Sequence, residues 1–218
     1  MILKVGLTGG IASGKSTILR LFGGLGCLTA DADSIVAQLY QPGQAGHAAL
    51  VRTYGTSILT PEGAIDRKKL ADVAFATPEA SARLNALIHP IVIAEQARMM
   101  ADAESQGDAV YVIEATLLLE SGGKQRFDRI VVVDVPRELQ IARGVARGLP
   151  EAEVLRRIAH QMPRDERFGY ADYVIDNSGD EVQARAETAR VHAALLADLD
   201  RKKKRPEPEP GARGTSSR

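Results

Sequence analysis

Short apolar runs alternate with stretches of helical spacing along most of this sequence. The runs lie at residues 2–7, 27–30, 109–113, 130–135 and 173–175, and polar or turn-forming residues bound each of them. After the first run, Ile18, Leu19, Phe22 and Leu25 recur at helical intervals. Because strands that alternate with helices form parallel sheets covered on both faces, the pattern predicts a three-layer α/β fold around a parallel five-stranded sheet.

Two stretches depart from this simple alternation. Residues 34–107 are helical in pattern but interrupted at Pro42-Gly43, at residues 60–63 and at His89-Pro90, where proline disfavours helix in the preceding residue. We interpret residues 34–107 as an inserted helical substrate-binding subdomain. Two Arg-rich helical segments in residues 137–161, separated by residues 148–150, predict a mobile helical lid over about residues 137–165.

These boundaries predict one domain over residues 1–200. Its sheet core would comprise residues 1–33, 108–136 and 170–200. Residues 201–218 begin with a basic run and continue in Pro, Glu, Gly and Ser. That composition cannot support a packed core, so we expect a disordered tail with no nucleic-acid role.

Composition and charge narrow the classes of protein. Lys plus Arg and Asp plus Glu number 28 each, so no overall field attracts the chain to nucleic acid or acidic membrane. The single cysteine, Cys27, forms no intrachain disulfide, which favours a reducing compartment. No apolar run approaches membrane-spanning length. The sequence therefore predicts a soluble cytoplasmic protein without a membrane partner, either a monomer or a small homo-oligomer.

The strongest motif follows the first predicted strand and precedes the first helix. Residues 9–16 match G-x-x-x-x-G-K-[ST], the phosphate-binding loop (P-loop) of nucleotide-binding enzymes. In such loops backbone N–H groups face phosphate oxygens, Lys15 reaches the β and γ phosphates, and Ser16 ligates Mg²⁺. We therefore predict ATP with Mg²⁺ as the phosphoryl donor. The predicted ATP-binding residues here are Gly10, Ile11, Ala12, Ser13, Gly14, Lys15, Ser16 and Thr17.

The rest of the sequence bears on which P-loop enzyme this is. The guanine-reading Asn-Lys-x-Asp segment of GTPases is absent, as is the second glycine-rich signature of transport ATPases. Small-molecule kinases remain. Asp33 follows the second strand, at the sheet edge where ligands bind. From spacing alone, Asp33 either faces the γ-phosphate or caps a helix beginning at Ser34, and both interpretations stay open.

Several further motifs occur in a fixed order. They are residues 7–11, 31–33 with Ile35, residues 63–67 with Leu70 and Phe75, Leu84-Asn85-x-x-Ile88-His89-Pro90, Leu117-Leu118-x-Glu120, and residues 171–179. Together with the P-loop they make residues 3–179 closely resemble the dephospho-coenzyme A kinase family. Ala12, Thr116 and Leu119 depart mildly from the family pattern. The resemblance implies ATP-dependent phosphorylation of the ribose 3′-hydroxyl of dephospho-coenzyme A, the final step of coenzyme A synthesis.

The resemblance also implies roles for single residues. Asp33 would be the general base on the acceptor hydroxyl, Arg143 in the lid would contact the transferring phosphates together with Lys15, and Asn177 would lie near the adenine. Thr8 and His89 would contact the acceptor, although a structural role for His89 is at least as consistent with its position. Arg143 and Arg147 are one helical turn apart, so they share a face.

Two questions stay open at this point. Glu114 ends an apolar strand, where it could hold Mg²⁺ through water or cap the following turn. The rivals to this function are a nucleoside monophosphate kinase, which shares the P-loop and lid, and a non-catalytic nucleotide-dependent switch.

Overall fold

Five parallel strands form the central sheet of the computed structural model, which describes residues 1–204 of the chain. They are β1 (Ile2–Gly9), β2 (Leu28–Asp31), β3 (Ala109–Glu114), β4 (Arg129–Asp134) and β5 (Tyr173–Asp176). Their spatial order is β2-β3-β1-β4-β5. All five predicted strands are confirmed, and the observed ends differ from the predicted ends by at most two residues.

Helices cover both faces of the sheet. They are α1 (Lys15–Gly24), α2 (Ala32–Leu39), α3 (Ala45–Tyr54), α4 (Arg67–Ala74), α5 (Pro78–Ser105), α6 (Arg137–Ala146), α7 (Glu151–His160), α8 (Arg164–Phe168) and α9 (Glu181–Lys204). Short 3₁₀ helices span Thr56–Ile58 and Gly123–Arg126. Helices α1 and α9 pack on one face of the sheet. Helix α5 packs on the other face, and α2, α3 and α4 pack against α5.

Side chains on the two faces of β1 are buried in two separate hydrophobic cores. Leu3, Val5 and Leu7 are buried in the core shared with α1 and α9. Ile2 is buried in the second core, which the helical residues 34–107 complete. Because β1 has β3 on one side and β4 on the other, it is fully enclosed, and the loop that follows it emerges at the centre of the sheet.

Helix α5 corrects one prediction. The expected boundary at His89-Pro90 is absent, because α5 continues through Pro90 from Pro78 to Ser105. An internal proline costs about 3 kcal/mol through a lost hydrogen bond and a clash. The stripe Leu84, Ile88, Val92, Gln96, Met100 and Ala103 is buried along the helix. Burial of this stripe on both sides of Pro90 offsets the local cost, so tertiary packing overrides the local signal.

Helix α9 corrects the predicted start of the tail. It extends to Lys204, so residues 201–204 are helical and not disordered, and residues 205–218 lie outside the described part of the chain. Lys202 donates to the Ile2 carbonyl at 3.0 Å and to Asp128 at 2.6 Å, and Lys203 pairs with Asp108 at 2.8 Å. The basic run therefore begins as the docked last turn of a helix. Within residues 1–204, no helix has both the length and the apolar character needed to cross a membrane.

Asp198 joins α9 to the sheet at the opposite side from the P-loop. Its buried carboxylate accepts from Arg129 Nε at 2.6 Å and from the Tyr173 hydroxyl at 2.8 Å, and it also pairs with Arg201. Burial by itself would raise the pKa of Asp198, but the hydrogen bonds from Arg129, Tyr173 and Arg201 together lower it below 3.8. The ionised form is therefore the stabilising one.

Asp198→Asn should lower the free energy of unfolding at pH 7 by about 2 kcal/mol, the range for a hydrogen-bonded buried charge. A carboxyl whose pKa is lowered by folding stabilises the protein at pH values above its pKa in the unfolded chain. This stabilisation is lost as the pH falls through the pKa of the carboxyl in the folded protein. The difference from wild type should therefore shrink as pH falls below 3.8. Urea unfolding of wild type and variant at pH 7 and at a pH below 3.8 measures this difference. Asp200→Asn, which alters an exposed carboxylate two residues away, should have almost no effect, and a constant difference across pH would contradict the linkage.

Candidate active site

The P-loop occupies the turn between β1 and α1, as predicted. Lys15 Nζ donates to the carbonyls of Gly9 and Gly10, each at 3.1 Å, and only 7% of the residue is exposed. Burial lowers the pKa of Lys15, and the nearby carboxylate of Glu114 partly opposes this shift. A buried cation held by neutral carbonyls at a helix N-terminus gives the loop the positive field that polyphosphate binding requires.

Asn177 fixes the loop from the far side of β4. It follows β5, it is buried, and its Nδ2 donates to the Ser13 carbonyl at 2.7 Å. Gly14 has a φ of 89°, and a Cβ added there would lie 2.2 Å from that same nitrogen. Only glycine therefore satisfies both the backbone conformation and the close approach at this position. Asn177 thus contacts the P-loop, and its place near the adenine stays a prediction.

Ala12 has a backbone conformation that is unusual for a residue with a side chain. Its φ is 55°, the single positive value for a non-glycine residue among residues 1–204. The left-handed conformation costs an alanine about 1 kcal/mol. The departure noted in the sequence thus leaves a locally strained backbone in the middle of the loop, held by its neighbours.

Two cavities meet at Asp33. The first, here called the loop cavity, has a volume of about 450 Å³ and is lined by Lys15, Ser16 and Glu114. The second, the subdomain cavity, has a volume of about 540 Å³ and lies between α2, α5 and the segment after β3. The residues that line both are Asp33, Thr116, Leu117 and Arg157.

The structure separates the two interpretations of the Asp31-Ala32-Asp33 turn. Helix α2 begins at Ala32, and its N-cap is Asp31, which accepts from the backbone N–H groups of Asp33 and Ser34 at 3.1 and 3.2 Å. Asp33 therefore does not cap the helix. Its exposed side chain lies in the first turn, where it faces both cavities.

Glu114 lies beside these groups at the carboxyl end of β3. Burial raises the pKa of its carboxyl, Lys15 opposes the rise, and the charges of Asp31 and Asp33 add to it. No group of three or more His, Cys, Asp or Glu residues in the described chain is arranged to hold a metal by itself. The hydroxyl of Ser16 and the carboxylates of Asp33 and Glu114 are among the oxygen ligands that line the loop cavity beside Lys15.

Arginines of the predicted lid, residues 137–165, line different cavities. Arg143 of α6 and Arg147, the C-cap of that helix, line a third cavity of about 400 Å³ together with Asn177 and Thr17, so they share a face as predicted. Arg156 and Arg157 of α7 line the loop cavity. The arginines that share a cavity with Lys15 and Asp33 are thus not the one named from the sequence. The Arg156-Arg157 pair was visible in the Arg-rich lid, but only the fold reveals which helix faces the loop.

Gln161, which the sequence did not single out, ties the lid to the P-loop. Its Oε1 accepts the backbone N–H of Ile11 at 2.8 Å. The next residue is held as well, since Met162 N–H donates to Glu120 at 2.8 Å and Arg167 donates to the Met162 carbonyl at 2.7 Å. This end of the lid is therefore fixed both to the phosphate loop and to the Leu-Leu-x-Glu segment.

The two predicted acceptor contacts have different surroundings. His89 is exposed on α5 and lines the subdomain cavity. Thr8 is fully buried in β1, and its hydroxyl lies 3.4 Å from the Thr116 carbonyl, to which it donates. A direct contact between Thr8 and a ligand is closed off in this conformation. Thr8 instead supports the backbone of Thr116, which lines both cavities.

Comparison with known proteins gives the family. A family model described as dephospho-CoA kinase matches residues 3–183. The chain belongs to the dephospho-CoA kinase family. A family member from Corynebacterium glutamicum is 44% identical over 200 residues, covering 91% of this chain and all of the relative, and one from Geobacter metallireducens is 44% identical, covering 82% and 89%.

Solved structures agree with this fold. A crystal structure of a Thermus thermophilus protein, 32% identical, superposes with a TM-score of 0.73 and covers 91% of this chain and 97% of its own. The dephospho-CoA kinase of Campylobacter jejuni is 24% identical, has a TM-score of 0.64, and covers 89% and 97%. The predicted α/β P-loop fold is confirmed.

Gly14→Ala should lower the free energy of unfolding by about 1–3 kcal/mol, through left-handed strain and the clash with Asn177. Combined with Asn177→Ala, the loss should be smaller than the sum of the two single losses, because the clash partner is gone. Gly148→Ala is the matched control: its φ is 88° and no atom lies within 4 Å of the added Cβ, so it reports strain alone. Urea unfolding measures each variant. Additive losses would show that the close approach carries no cost.

Proposed function

We propose that this family member transfers the γ-phosphoryl group of ATP to the ribose 3′-hydroxyl of dephospho-coenzyme A, giving coenzyme A and ADP. The single observation that best supports this direction of transfer is the junction at Asp33. A phosphate-binding cavity and a separate cavity under the helical insertion share a wall there, so donor and acceptor groups can meet beside a carboxylate.

ATP would lie with its phosphates on the P-loop. The loop N–H groups, Lys15 and the N-terminus of α1 would hold the β and γ phosphates. Arg156 and Arg157 line the same cavity and supply further positive charge, while Arg143 would act from the cavity beside Asn177. Residues 34–107 would bind the acceptor and residues 137–165 would close over the donor.

The oxygen donors beside the P-loop fit a magnesium ion, because Mg²⁺ prefers hydroxyl and carboxylate ligands and keeps several waters. Ser16 would hold it directly and Glu114 through water. The ion would neutralise phosphate charge as transfer proceeds. Glu114 lines the same cavity as Ser16, so its carboxylate would accept hydrogen bonds from water bound to the ion.

Asp33 would orient the 3′-hydroxyl and accept its proton while the hydroxyl oxygen attacks the γ-phosphorus in line. The transition state is loose, so positioning and charge should supply most of the rate and the base a smaller part.

The test of the activity itself is incubation of ATP with dephospho-coenzyme A and mass analysis of the product. A nucleoside monophosphate serves as the alternative acceptor, and preference for it would overturn the assignment.

Lys15→Ala should reduce turnover by about 10²- to 10³-fold, because it removes the buried cation nearest the transferring charge. Steady-state kinetics measure the loss, and circular dichroism checks that the fold is retained. Lys68→Ala, which removes an exposed lysine from α4, is the matched control and should keep the wild-type rate. Turnover near wild type in Lys15→Ala would refute the role of the loop.

Asp33→Asn should lower kcat by about 10²- to 10⁴-fold, since the amide cannot accept the hydroxyl proton, while ATP and acceptor binding stay nearly unchanged. The matched control is Asp31→Asn two residues away: asparagine is as good an N-cap as aspartate, so α2 and kcat should persist. Single-turnover experiments measure the chemical step. A wild-type rate in Asp33→Asn would mean that transfer needs no base at this position.

A further inference from the structure

The subdomain cavity contains a cation, Arg126, that has no carboxylate partner in the described part of the chain. Arg126 ends the 3₁₀ helix Gly123–Arg126, is half-buried, and lines this cavity with Asp33 and His89. Within residues 1–204, its guanidinium forms no ion pair with any Asp or Glu. Burial lowers the pKa of Arg126, although an arginine stays protonated at neutral pH.

Neutral groups hold this guanidinium in place. Its Nη1 donates to Gln96 Oε1 at 2.7 Å, and Gln96 is 3% exposed on α5. On the other side a Cβ added to Gly123 would lie 2.6 Å from Nη2, so the absent side chain there leaves room for the guanidinium. Gln96 and Gly123 therefore fix the position of the cation without compensating its charge, and a partly buried charge is unfavourable unless an anion accompanies it.

Arg157, the second arginine of this cavity, is in a different situation. Its Nε donates to Glu153 at 2.7 Å, so a carboxylate of its own helix offsets its charge. Among the cavity residues the other charge is the carboxylate of Asp33, at the junction with the loop cavity. Arg126, whose guanidinium carbon lies 5.6 Å from the centre of the Phe127 ring, is thus the cation of this cavity that has no carboxylate partner among residues 1–204.

This inference rests on the proposed function, because it concerns the acceptor of that reaction. Dephospho-coenzyme A carries a diphosphate on the same ribose whose 3′-hydroxyl would face Asp33. The diphosphate must therefore lie in the same cavity, and a planar guanidinium can donate two parallel hydrogen bonds to its oxygens. We propose that Arg126 binds the diphosphate of the acceptor and makes the enzyme prefer the diphosphate ester over a bare nucleoside.

The test compares ligands with and without the diphosphate. Arg126→Gln removes the charge and keeps an amide that can bond Gln96. We expect the KM for dephospho-coenzyme A to rise by about 10- to 100-fold, the range for a hydrogen bond to a charged group, with kcat and the KM for ATP unchanged. The inhibition constant of adenosine, measured in competition with dephospho-coenzyme A, should not change. Arg126→Lys keeps the charge and should raise KM less.

Lys124→Gln is the matched control. It removes the same charge from the same 3₁₀ helix, where the ammonium lies 5.2 Å from the Tyr170 ring and outside the residues that line the cavity. Its kinetics should equal those of wild type. An unchanged KM in Arg126→Gln, or an equal weakening of adenosine, would overturn the proposal, because the residue would then be structural or would shape the nucleoside site.

Calorimetric binding of dephospho-coenzyme A to wild type and to both Arg126 variants separates this proposal from the proposed function. Binding needs no turnover, so a failure of wild type to phosphorylate the acceptor would count against the reaction alone. Equal affinities of wild type and variants would count against Arg126. If Arg126→Gln unfolds at the assay temperature, the affinity of Arg126→Lys for dephospho-coenzyme A is compared with that of wild type instead. Equal affinities would again count against Arg126.

Discussion

The position of the P-loop at the centre of the sheet is the constraint on which the rest of the site depends. Strand β1 is enclosed by β3 and β4 and by a core on each face, so the turn that leaves it has little freedom. Two further contacts fix that turn from distant parts of the chain: Asn177 binds the Ser13 carbonyl, and Gln161 binds the Ile11 N–H. The loop is therefore shaped by strand, lid and the segment after β5 together.

This placement also explains the asymmetry of the surrounding charges. Cations approach the loop from its own lysine and from the lid, while the carboxylates of Asp33 and Glu114 lie on the side of β2 and β3. A phosphoryl group bound between them would meet positive charge on one side and a proton acceptor on the other. The helical insertion then supplies a second cavity on the acidic side, where an acceptor hydroxyl can approach Asp33.

Hydrogen bonds between residues 137–165 and the surrounding site are concentrated at the C-terminal end of that segment. The Gln161-Met162 end of the lid is held by the P-loop, by Glu120 and by Arg167, and Arg164 forms a double hydrogen bond with Asp134 at the end of β4. Helices α6 and α7 contact one another and are joined by a short turn at Gly148. Residues 137–165 are thus tied to the P-loop, to Glu120 and to β4 through their last residues.

The sequence by itself determined the five strands, the P-loop and the family, because apolar runs and the G-x-x-x-x-G-K-[ST] spacing are local features. It could not decide whether Asp33 faces the phosphates or caps α2, since an aspartate at that place suits either role, and only the structure shows that the cap is Asp31. It placed a helix boundary at Pro90, where burial of a stripe along α5 outweighs the local preference. It also missed Gln161 and Arg126, whose partners lie 150 and 30 residues away along the chain. Contacts between such distant residues follow from packing, so only the tertiary structure decided which arginines of residues 137–165 face the loop and which cation of the subdomain cavity has no carboxylate partner among residues 1–204.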